Sequence, residues 1–469
     1  TRLTAQSTRV KDLLSRNPEC DSMFSKVLIA NRGEIAVRVI RACRALGIRT
    51  AAVHSEADAG APHALAADER VLIGPPPARQ SYLDAARIIA AAKETGAEAV
   101  HPGYGFLSEN AGFVRQCREA GIVFIGPGAE AIEKMGEKAA ARALMQAAGV
   151  PVVPGSDGPA ATIEAARKAA SEVGYPVFIK ASGGGGGLGM QRVADEAALE
   201  KAFAGAQKRA ESLFGDGAVY IEKALTRPRH VEFQIFGDAG GNVIHLFERE
   251  CTIQRRHQKV IEETPSTALT SDLRARMARA ALTAARAVDY LNAGTIEFLI
   301  DADRNFYFIE MNTRLQVEHT VTEATCGIDL VHLQLKIAAG EPLPLAQEDV
   351  KPAGHAIQFR IYAENPAKNF MPSPGTIETW ETPAGEGIRL DSGVTGGSVV
   401  TVHYDPLLAK LIVSGATRDE AIARALDALG QYRVEGIHTN IDLHREVLRH
   451  PEFQAGDFDT GFLYNRLKA

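Results

Sequence analysis

Hydrophobic and polar residues follow strand and helix periods in turn along the first part of the chain. The apolar run KVLIAN begins at Lys26, and a second strand-like run, IRTAAVHSEAD, begins at Ile48. Between them, Ile35, Val39 and Cys43 recur at helical spacing. This order predicts a βαβ unit, and the later runs EAVHPGYG and IVFIGP extend it into a parallel α/β domain that ends near Glu137.

The middle of the chain begins at a helix-breaking segment, PVVPGSDGPA, which contains three prolines and two glycines. A small α/β unit is predicted after it, with a helix over 163–173, the strands PVFIK and MQRVAD, a helix over 196–212 and the strand VYIEKAL. A β-rich stretch over 230–263, a helix over 271–289 and the strands GTIEFLI and NFYFIEMN follow. A last mixed region begins near Gly354, and no internal repeat is visible.

These patterns predict an α/β protein with a short extension and three folded parts. The predicted parts are an extension over 1–22 that is disordered or a tag, an N-terminal domain over 23–137, a central domain over 138–353 with a lid subdomain at about 155–225, and a C-terminal mixed α/β domain over 354–469. A length of 469 residues is consistent with two to four domains.

Composition and charge narrow the classes of partner. The formal net charge of −6 predicts no nucleic acid or anionic membrane partner and favours small anionic ligands. Five scattered cysteines without a C-x-x-C pair argue against a disulfide framework and a zinc site. They favour a location in the reducing cytoplasm. No apolar run approaches the roughly 18 residues of a membrane span. Residues 1–22 lack the apolar core of a secretory signal, so Met23 is the expected natural start.

The glycine run ASGGGGGLGM lies between two short strand-like segments. Its G-x-G-x-x-G spacing from Gly184 to Gly189 is not followed by a helix, so a dinucleotide site is not favoured, and no G-K-[ST] sequence is present. A flexible linker is one interpretation. The other is a hairpin tip whose backbone N–H groups approach phosphate oxygens, and its position between strands favours this mobile phosphate lid.

A polar pattern with a period of two begins at the end of the strand NFYFIEMN. In an extended chain it places one set of side chains on a common face: Glu310, Asn312, Arg314, Gln316 and Glu318. An ordinary solvated strand face would show the same pattern. A two-residue hairpin turn at Asp303-Arg304 would, however, place Glu297 directly opposite Glu310, and facing carboxylates repel unless a cation lies between them.

The ladder therefore predicts chemistry as well as structure. Glu297, Glu310 and Asn312 would supply hard oxygen ligands for Mg²⁺ or Mn²⁺. Further along the face, Arg314 would hold a small oxyanion beside Glu318 as a candidate general base.

Basic residues elsewhere support an anion site, although each has an ordinary alternative. The run Arg255-Arg256-His257-x-Lys259 is either a solvated loop or a concentration of charge near phosphate. Lys180 ends an apolar strand directly before the glycine run, which favours contact with phosphate. Lys138 is ambiguous on its own, and His230 is equally consistent with a half-buried strand histidine.

The sequence closely resembles biotin carboxylase, a member of the ATP-grasp ligases. The resemblance covers about 24–465 and lies in KVLIANRGEIAVRVIRA, HPGYGFLSEN, FIGP, KASGGGGGLGM, RHVEFQIF, ERECTIQRRHQKVIEE, GTIEFL, FYFIEMNTRLQVEH and YDPLLAKLIV. It implies an ATP-grasp fold with a glycine-rich lid. It also implies carboxylation of biotin by bicarbonate at the expense of ATP, through carboxyphosphate.

The resemblance assigns roles to individual residues. The ATP site would contain Lys138, Lys180, Gly185, Gly186, Glu222, Lys223, Leu225, His230, Gln254, His257 and Glu297. The metals would be held by Glu297, Glu310 and Asn312, and bicarbonate by Lys259, Arg314, Gln316 and the backbone of Val317. Glu318 would take the bicarbonate proton, Arg360 would stabilise the biotin enolate, and Tyr104 would lie near biotin.

Three positions depart from the family's usual residues. Leu188 stands where such lids carry Lys or Arg, Gln358 replaces Glu, and Thr320 replaces Pro. Because no predicted metal ligand or base is lost, the sequence predicts an active enzyme with weaker ATP binding.

The resemblance also implies partners. A biotin carboxyl carrier and a carboxyltransferase are expected, either as other proteins or as a missing downstream part, because no Met-Lys-Met carrier sequence occurs. A cytoplasmic homodimer is expected. Another ATP-grasp ligase and a catalytically silent nucleotide sensor remain alternatives, and the final acceptor (acetyl-CoA, propionyl-CoA, another acyl-CoA, pyruvate or urea) stays open.

Overall fold

A computed structural model describes residues 23–156, 158–182 and 190–469 of the chain. The predicted extension over 1–22 therefore lies outside the described residues, as do Gly185, Gly186 and Leu188 of the glycine run.

The N-terminal part forms a five-stranded parallel sheet, as the sequence predicts. Its strands are β1 (Lys26–Ile29), β2 (Arg49–His54), β3 (Glu69–Leu72), β4 (Ala99–His101) and β5 (Val123–Phe124), in the order β3-β2-β1-β4-β5. Its helices are α1 (Gly33–Ala45), α2 (Pro62–Ala66), α3 (Ala85–Thr95), α4 (Ala111–Glu119) and α5 (Ala129–Gly136). The periodic residues Ile35, Val39 and Cys43 of α1 are buried, which explains the helical spacing.

The next part is a small unit built on three antiparallel strands. It follows α6 (Lys138–Ala147), whose buried Ala141 and Met145 pack in the core that contains Phe233 and Phe298. The unit itself contains α7 (Ile163–Val173), β6 (Val177–Ala181), β7 (Met190–Val193), α8 (Glu196–Phe214) and β8 (Val219–Lys223), with strand order β7-β6-β8. Lys180 on β6 pairs with Met190 on β7, so the segments that flank the glycine run form the predicted hairpin. Helix α8 begins where Asp195 accepts a hydrogen bond from the Ala198 amide and ends at Gly215, which has a φ of 73°.

The rest of the chain contributes strands, helices and short turns of helix. The strands are β9 (Arg229–Gly237), β10 (Val243–Arg255), β11 (Gln258–Thr264), β12 (Asn292–Ile300), β13 (Phe306–Asn312), β14 (His355–Tyr362), β15 (Glu364–Asn365), β16 (Met371–Pro372), β17 (Gly375–Thr376), β18 (Thr379–Glu381), β19 (Ile388–Ser392), β20 (Val399–Val400), β21 (Leu407–Gly415) and β22 (Arg433–Glu435). The helices are α9 (Ser271–Arg286), α10 (His319–Cys326), α11 (Leu330–Ala338), α12 (Arg418–Gly430), α13 (Ile441–Arg449) and α14 (Pro451–Gln454).

An eight-stranded antiparallel sheet joins the centre of the chain to its C-terminal part. The strand order is β13-β12-β9-β10-β11-β14-β21-β19, so the sheet continues across Gly354 through the pairing of β11 with β14. Ile261 of β11 packs in one hydrophobic core with Phe359 of β14 and Leu411 of β21. The two stretches of chain therefore share both hydrogen bonds and a core.

The hairpin of β12 and β13 differs from the predicted one in its turn. Ile300 pairs with Phe306, so residues 301–305 connect the strands and the predicted two-residue turn is wrong. A bulge then leaves Ile309 without a partner, which restores the register and places Glu297 opposite Glu310 as predicted. The extra residues of the turn and the bulge offset each other.

The predicted extended ladder to Glu318 is also wrong in part. Strand β13 ends at Asn312, and Glu318 is the N-cap residue of α10, with φ −83° and ψ 8°.

None of the helices in the described part of the chain combines the length and apolarity that crossing a bilayer requires. The described cysteines, Cys43, Cys117, Cys251 and Cys326, are free and buried.

Candidate active site

A cavity of about 620 Å³ lies where the N-terminal sheet faces the eight-stranded sheet. Its volume is in the usual range for small-molecule sites. The N-terminal wall follows the carboxyl ends of β1 and β4, where ligands bind to parallel sheets. Many residues predicted from the sequence line it: Tyr104, His230, His257, Lys259, Glu297, Glu310, Asn312, Arg314, Gln316, Val317 and Arg360.

A row of charged residues crosses four adjacent strands at this cavity. Arg249 on β10 lies opposite Glu232 on β9, Glu232 lies opposite Glu297 on β12, and Glu297 lies opposite Glu310 on β13. Three carboxylates thus occupy neighbouring positions of one row. Because like charges at facing positions repel, the row requires cations.

Lys259 supplies the central cation of this row. Its Nζ atom lies 2.5 Å from Glu232 Oε2, 2.6 Å from Glu297 Oε1 and 2.7 Å from Glu318 Oε1. Burial acts to lower the pKa of Lys259, but the three carboxylates outweigh it and raise this pKa well above its usual value. Lys259 therefore stays charged, and it lies within reach of a small anion in the cavity.

The predicted metal ligands meet at the other end of the row. Asn312 Nδ2 donates to Glu297 Oε1 at 2.8 Å, and Lys138 Nζ donates to Glu310 Oε2 at 3.0 Å. Two facing carboxylates and an adjacent amide oxygen are hard donors, so they fit Mg²⁺ or Mn²⁺. His230, Glu232 and Glu297 also have ligand atoms within 4.8 Å of one another, but the last two already bind Lys259.

Arg314 is held in the cavity wall by residues from two parts of the chain. Its Nε donates to Glu109 Oε2 at 2.8 Å, and its Nη1 donates to Gln316 Oε1 at 2.9 Å. Gln316 Nε2 donates in turn to Glu297 Oε1 at 3.2 Å. Arg314 is therefore oriented beside the carboxylate row, and its role as an oxyanion ligand stays a prediction.

Glu318 lies directly beneath the cavity and is completely buried. Its Oε2 accepts a hydrogen bond from Arg360 Nη2 at 2.9 Å, while its Oε1 contacts Lys259. Burial acts to raise the pKa of Glu318, but Lys259, Arg360 and Arg249 outweigh it and hold this pKa well below its usual range. The carboxylate is therefore ionised at neutral pH.

Most of the residues predicted to bind the nucleotide lie outside the cavity lining. This group comprises Lys138, Lys180, Glu222, Lys223, Leu225 and Gln254. Lys180 forms an ion pair with Glu222 within the three-stranded sheet, and Lys223 Nζ donates to the Gly174 carbonyl at 2.8 Å, at the end of α7. Gln254 Nε2 lies 2.7 Å from His230 Nδ1. Their roles stay predictions.

Several residues of the site were missed in the sequence. Glu232 lies between His230 and Gln234 in RHVEFQIF, and that alternation of polar residues in an apolar strand was the available signal. Lys410, in the apolar strand YDPLLAKLIV, donates to the Val317 carbonyl at 3.0 Å and lies opposite Arg360 on β14. Glu109 has no comparable signal, because its contact with Arg314 depends on the packing of distant parts of the chain.

The fold and the cavity together define an ATP-grasp ligase. A small α/β unit with a glycine-run hairpin precedes a larger antiparallel sheet, and this sheet carries the row of carboxylates and cations. Three family models match the chain: "Biotin carboxylase, N-terminal domain" over 23–132, "Carbamoyl-phosphate synthase L chain, ATP binding domain" over 137–346, and "Biotin carboxylase C-terminal domain" over 358–465. The chain belongs to the biotin carboxylase family.

Named relatives support this assignment over nearly the whole chain. The biotin carboxylase of Halalkalibacterium halodurans is 57% identical over 446 residues, which cover 95% of this chain and 98% of the relative. The mitochondrial methylcrotonoyl-CoA carboxylase subunit alpha of Arabidopsis thaliana is 49% identical, over 94% of this chain and 61% of the relative. The resemblance inferred from the sequence motifs is confirmed.

Solved structures agree with the sequence comparison. A biotin carboxylase from Campylobacter jejuni, in a complex with βγ-ATP, has a TM-score of 0.91 and 47% identity, over 94% of this chain and 99% of that one. The biotin carboxylase domain dimer of Hydrogenobacter thermophilus 2-oxoglutarate carboxylase, with MgADP, ADP and bicarbonate, has a TM-score of 0.90 and 48% identity, over 94% of this chain and 97% of that one. The predicted ATP-grasp fold is confirmed.

Proposed function

We propose that this cavity catalyses the ATP- and bicarbonate-dependent carboxylation of biotin on a carrier protein, the first half-reaction of a biotin-dependent carboxylase. The observation that supports it most is the convergence of Lys259, Arg314 and Arg360 around the buried, ionised Glu318. Two fixed carboxylates, Glu297 and Glu310, face each other beside this cluster. Family membership identifies the chain as an ATP-dependent ligase.

The residues of the cavity divide the chemistry between them. Bicarbonate is bound by Lys259, Arg314, Gln316 and the Val317 backbone. Glu318 takes the proton of bicarbonate while a bicarbonate oxygen attacks the γ-phosphorus of ATP. The bond to the β-phosphate oxygen breaks, so ADP and carboxyphosphate form. Mg²⁺ or Mn²⁺ held by Glu297, Glu310 and Asn312 would neutralise phosphate charge during this step.

The second step transfers the carboxyl group to biotin. The bond between the carboxyl carbon and the phosphate oxygen of carboxyphosphate breaks, which gives CO₂ and inorganic phosphate. The phosphate takes the proton of a ureido nitrogen of biotin, and this nitrogen attacks CO₂ to form the new C–N bond. Arg360 stabilises the negative charge that develops on the ureido oxygen, and Tyr104 contacts biotin. The nucleotide contacts are assigned to Lys138, Lys180, Gly185, Gly186, Glu222, Lys223, Leu225, His230, Gln254 and His257.

The proposed partners follow from the relatives rather than from the cavity. Relatives include subunits of methylcrotonoyl-CoA and pyruvate carboxylases, so we assign a biotin carboxyl carrier and a carboxyltransferase as partners. A homodimer is supported by the dimer named for the Hydrogenobacter thermophilus domain. We also assign the chain to the cytoplasm and propose sequence domains at 23–137, 138–353 and 354–469, of which the last two share one sheet and one core.

Replacement of the base tests the function. Glu318→Gln removes the proton acceptor but keeps its shape, so biotin-stimulated, bicarbonate-dependent ADP release should fall by at least about 100-fold. Binding of ATP, measured by calorimetry, should change by less than about threefold. Glu248→Gln is the matched control, because Glu248 is a fully buried carboxylate that binds Arg274 away from the cavity, and this variant should keep its turnover.

The substrate dependence separates this function from its alternatives. Stimulation of ATP cleavage by an amino acid or a ribonucleotide, without dependence on bicarbonate, would support another ATP-grasp ligase. An unaltered chain that binds ATP but shows no turnover with bicarbonate and biotin would support a nucleotide sensor.

A further inference from the structure

A chain of buried polar side chains connects helix α10 to the guanidinium group of Arg360. The Thr320 hydroxyl donates to Gln358 Oε1, and Gln358 Nε2 donates to Glu262 Oε2 at 2.9 Å. Arg360 Nε donates to Glu262 Oε1 at 2.6 Å. Thr320, Gln358 and Glu262 are completely buried and are not among the residues that line the cavity, so their hydrogen-bonded connection to it runs through Arg360.

The sheet register determines which groups meet in this chain. Glu262 on β11 lies directly opposite Gln358 on β14, and Arg360 lies two residues further along the same face. An amide can donate to the facing carboxylate, whereas a second carboxylate at position 358 would repel it. The Thr320 hydroxyl fixes which end of the amide faces Glu262, because it donates to Oε1 and leaves Nε2 on the other side.

Two carboxylates consequently hold Arg360 from different sides. Glu262 accepts from its Nε, and Glu318 accepts from its Nη2 at 2.9 Å. The Arg360 carbonyl is also fixed, since Asn440 Nδ2 donates to it at 3.0 Å and His444 Nε2 lies 2.9 Å away. Arg360 nevertheless lines the cavity, so its remaining freedom is the direction in which the guanidinium presents its N–H groups.

We propose that Thr320 and Gln358 are positioning residues for biotin carboxylation, which fix the Glu262 carboxylate and through it the direction of the Arg360 guanidinium. The inference rests on the proposed function, because that function assigns Arg360 to biotin. The direct contact between the Thr320 hydroxyl and Gln358 supports a shared role for the two residues.

Removal of one hydroxyl tests the first contact. Thr320→Val leaves Gln358 Oε1 without its donor, so kcat/KM for free biotin should fall by about tenfold. The KM for ATP and the bicarbonate-dependent ATP cleavage without biotin should stay within about twofold of the unaltered chain. Thr325→Val is the control, because the Thr325 hydroxyl donates to carbonyls of its own helix, at Val321 and Thr322, rather than to the groups that hold Arg360. Its biotin kinetics should not change.

The pair of facing residues Glu262 and Gln358 can be tested through the pH dependence of kcat/KM for biotin. The charged groups around Glu262 are Arg360 on β14, Glu318 at the start of α10 and Lys259 on β11. Burial raises the pKa of Glu262 to about 7, with Glu318 adding to this effect and Arg360 and Lys259 opposing it. Glu262 must lose its proton to hold Arg360 as an anion, so kcat/KM for biotin should rise with pH near this value. Gln358→Glu should move the rise upward by about one pH unit, because two facing carboxylates retain a proton.

A swapped double variant separates positioning from stability. Glu262→Gln combined with Gln358→Glu restores one amide and one carboxylate to the facing pair, but it moves the charge away from the residue that Arg360 contacts. The Tm should be lowered in Gln358→Glu alone, where two carboxylates face each other, and should return to that of the unaltered chain in the double variant. The double variant should nevertheless have a kcat/KM for biotin about tenfold below that of the unaltered chain.

The outcomes decide between the two roles. Unchanged biotin kinetics in Thr320→Val, or full recovery of kcat/KM in the swapped variant, would overturn the inference. The contact between Thr320 and Gln358 would then contribute to stability alone. Failure of the proposed function would look different, since the unaltered chain would then show no stimulation of turnover by biotin, and both proposals would fall.

Discussion

At the scale of single residues, Lys259 connects three buried carboxylates of the site. It contacts Glu232, Glu297 and Glu318, which come from β9, β12 and the start of α10. Its ammonium group therefore compensates three buried carboxylates from separate elements. No other lysine in the described part of the chain is recorded in ion pairs with three carboxylates.

Removal of this cation should destabilise the fold as well as the site. Lys259→Met leaves buried carboxylates without their partner, so the free energy of unfolding in urea should fall by about 3–5 kcal/mol. Lys134→Met provides the control, because Lys134 is exposed on α5, and it should change this free energy by less than about 0.5 kcal/mol. Equal stability of the two variants would contradict the central role of Lys259.

The surroundings of Glu263 predict how the stability of the fold depends on pH. It accepts hydrogen bonds from His355 Nε2 and Arg418 Nε, both at 2.7 Å. Burial acts to raise the pKa of Glu263, but His355 and Arg418 outweigh it and lower this pKa to about 2. A depressed carboxyl pKa stabilises the fold above the unfolded value of about 4.3, and this contribution is lost as pH falls toward 2.

The variant Glu263→Gln should therefore lose roughly 2–4 kcal/mol of unfolding free energy at pH 7. The difference from the unaltered chain should shrink as pH falls from 4.5 to 2, which urea titrations at several pH values would show. Glu348→Gln, at an exposed acid, is the control. A difference that grew on acidification would refute the assignment.

The sequence predicts those cavity residues whose polar side chains alternate along a single strand or hairpin. Glu310 and Asn312 were found from their alternation in a strand, and Glu297 from its place across the hairpin. Glu262 and Glu109 were not found, because their importance depends on partners distant in sequence, Arg360 and Arg314. A periodic pattern carries no information about such pairings.

At the scale of elements, the β12–β13 hairpin shows how a site can be predicted correctly from an incorrect turn. Strand pairing was inferred from a short turn, whereas residues 301–305 connect the strands and Ile309 forms a bulge. The predicted strand over 305–312 and helix over 163–173 agree closely with the structure, since both have clear periods. The extended ladder failed after Asn312, because a turn and a helix end can also bring alternate residues to one cavity.

Insertions should separate the turn from the register. One glycine inserted after Arg304 should be absorbed by the connection and leave turnover within about threefold, because the burial of Phe306 and Phe308 fixes the strand. The same glycine inserted after Glu310 should move Asn312 to the other face and abolish metal-dependent turnover. Steady-state assays of ADP release compare the two. Similar losses in both variants would show that the turn sets the register.

At the scale of the whole molecule, the eight-stranded sheet makes the central and C-terminal parts one unit. The pairing of β11 with β14 and the shared core around Ile261, Phe359 and Leu411 cross the predicted boundary at 354. The sequence indicated this boundary by the change in pattern after GEPLPLAQEDVKPAG. It could not show that strands on both sides pair, because the partners are separated by about one hundred residues of chain.

Truncation tests this unity. A chain ending at 353 would expose the edge of β11 and its apolar face, so it should aggregate and show no cooperative urea transition. A chain of residues 23–469 is the control and should unfold cooperatively, since the cores of the described residues begin at Phe24. Size-exclusion chromatography and circular dichroism distinguish the two. A monodisperse, cooperative 23–353 fragment would contradict the single unit.

The row Arg249–Glu232–Glu297–Glu310 has a consequence for protein engineering. Its spacing is set by interstrand hydrogen bonds, so the reacting groups keep their geometry when surface loops are rebuilt. Libraries aimed at new ligands of the cavity can therefore diversify its lining near the exposed His403 and leave the strands that carry the row unmutated.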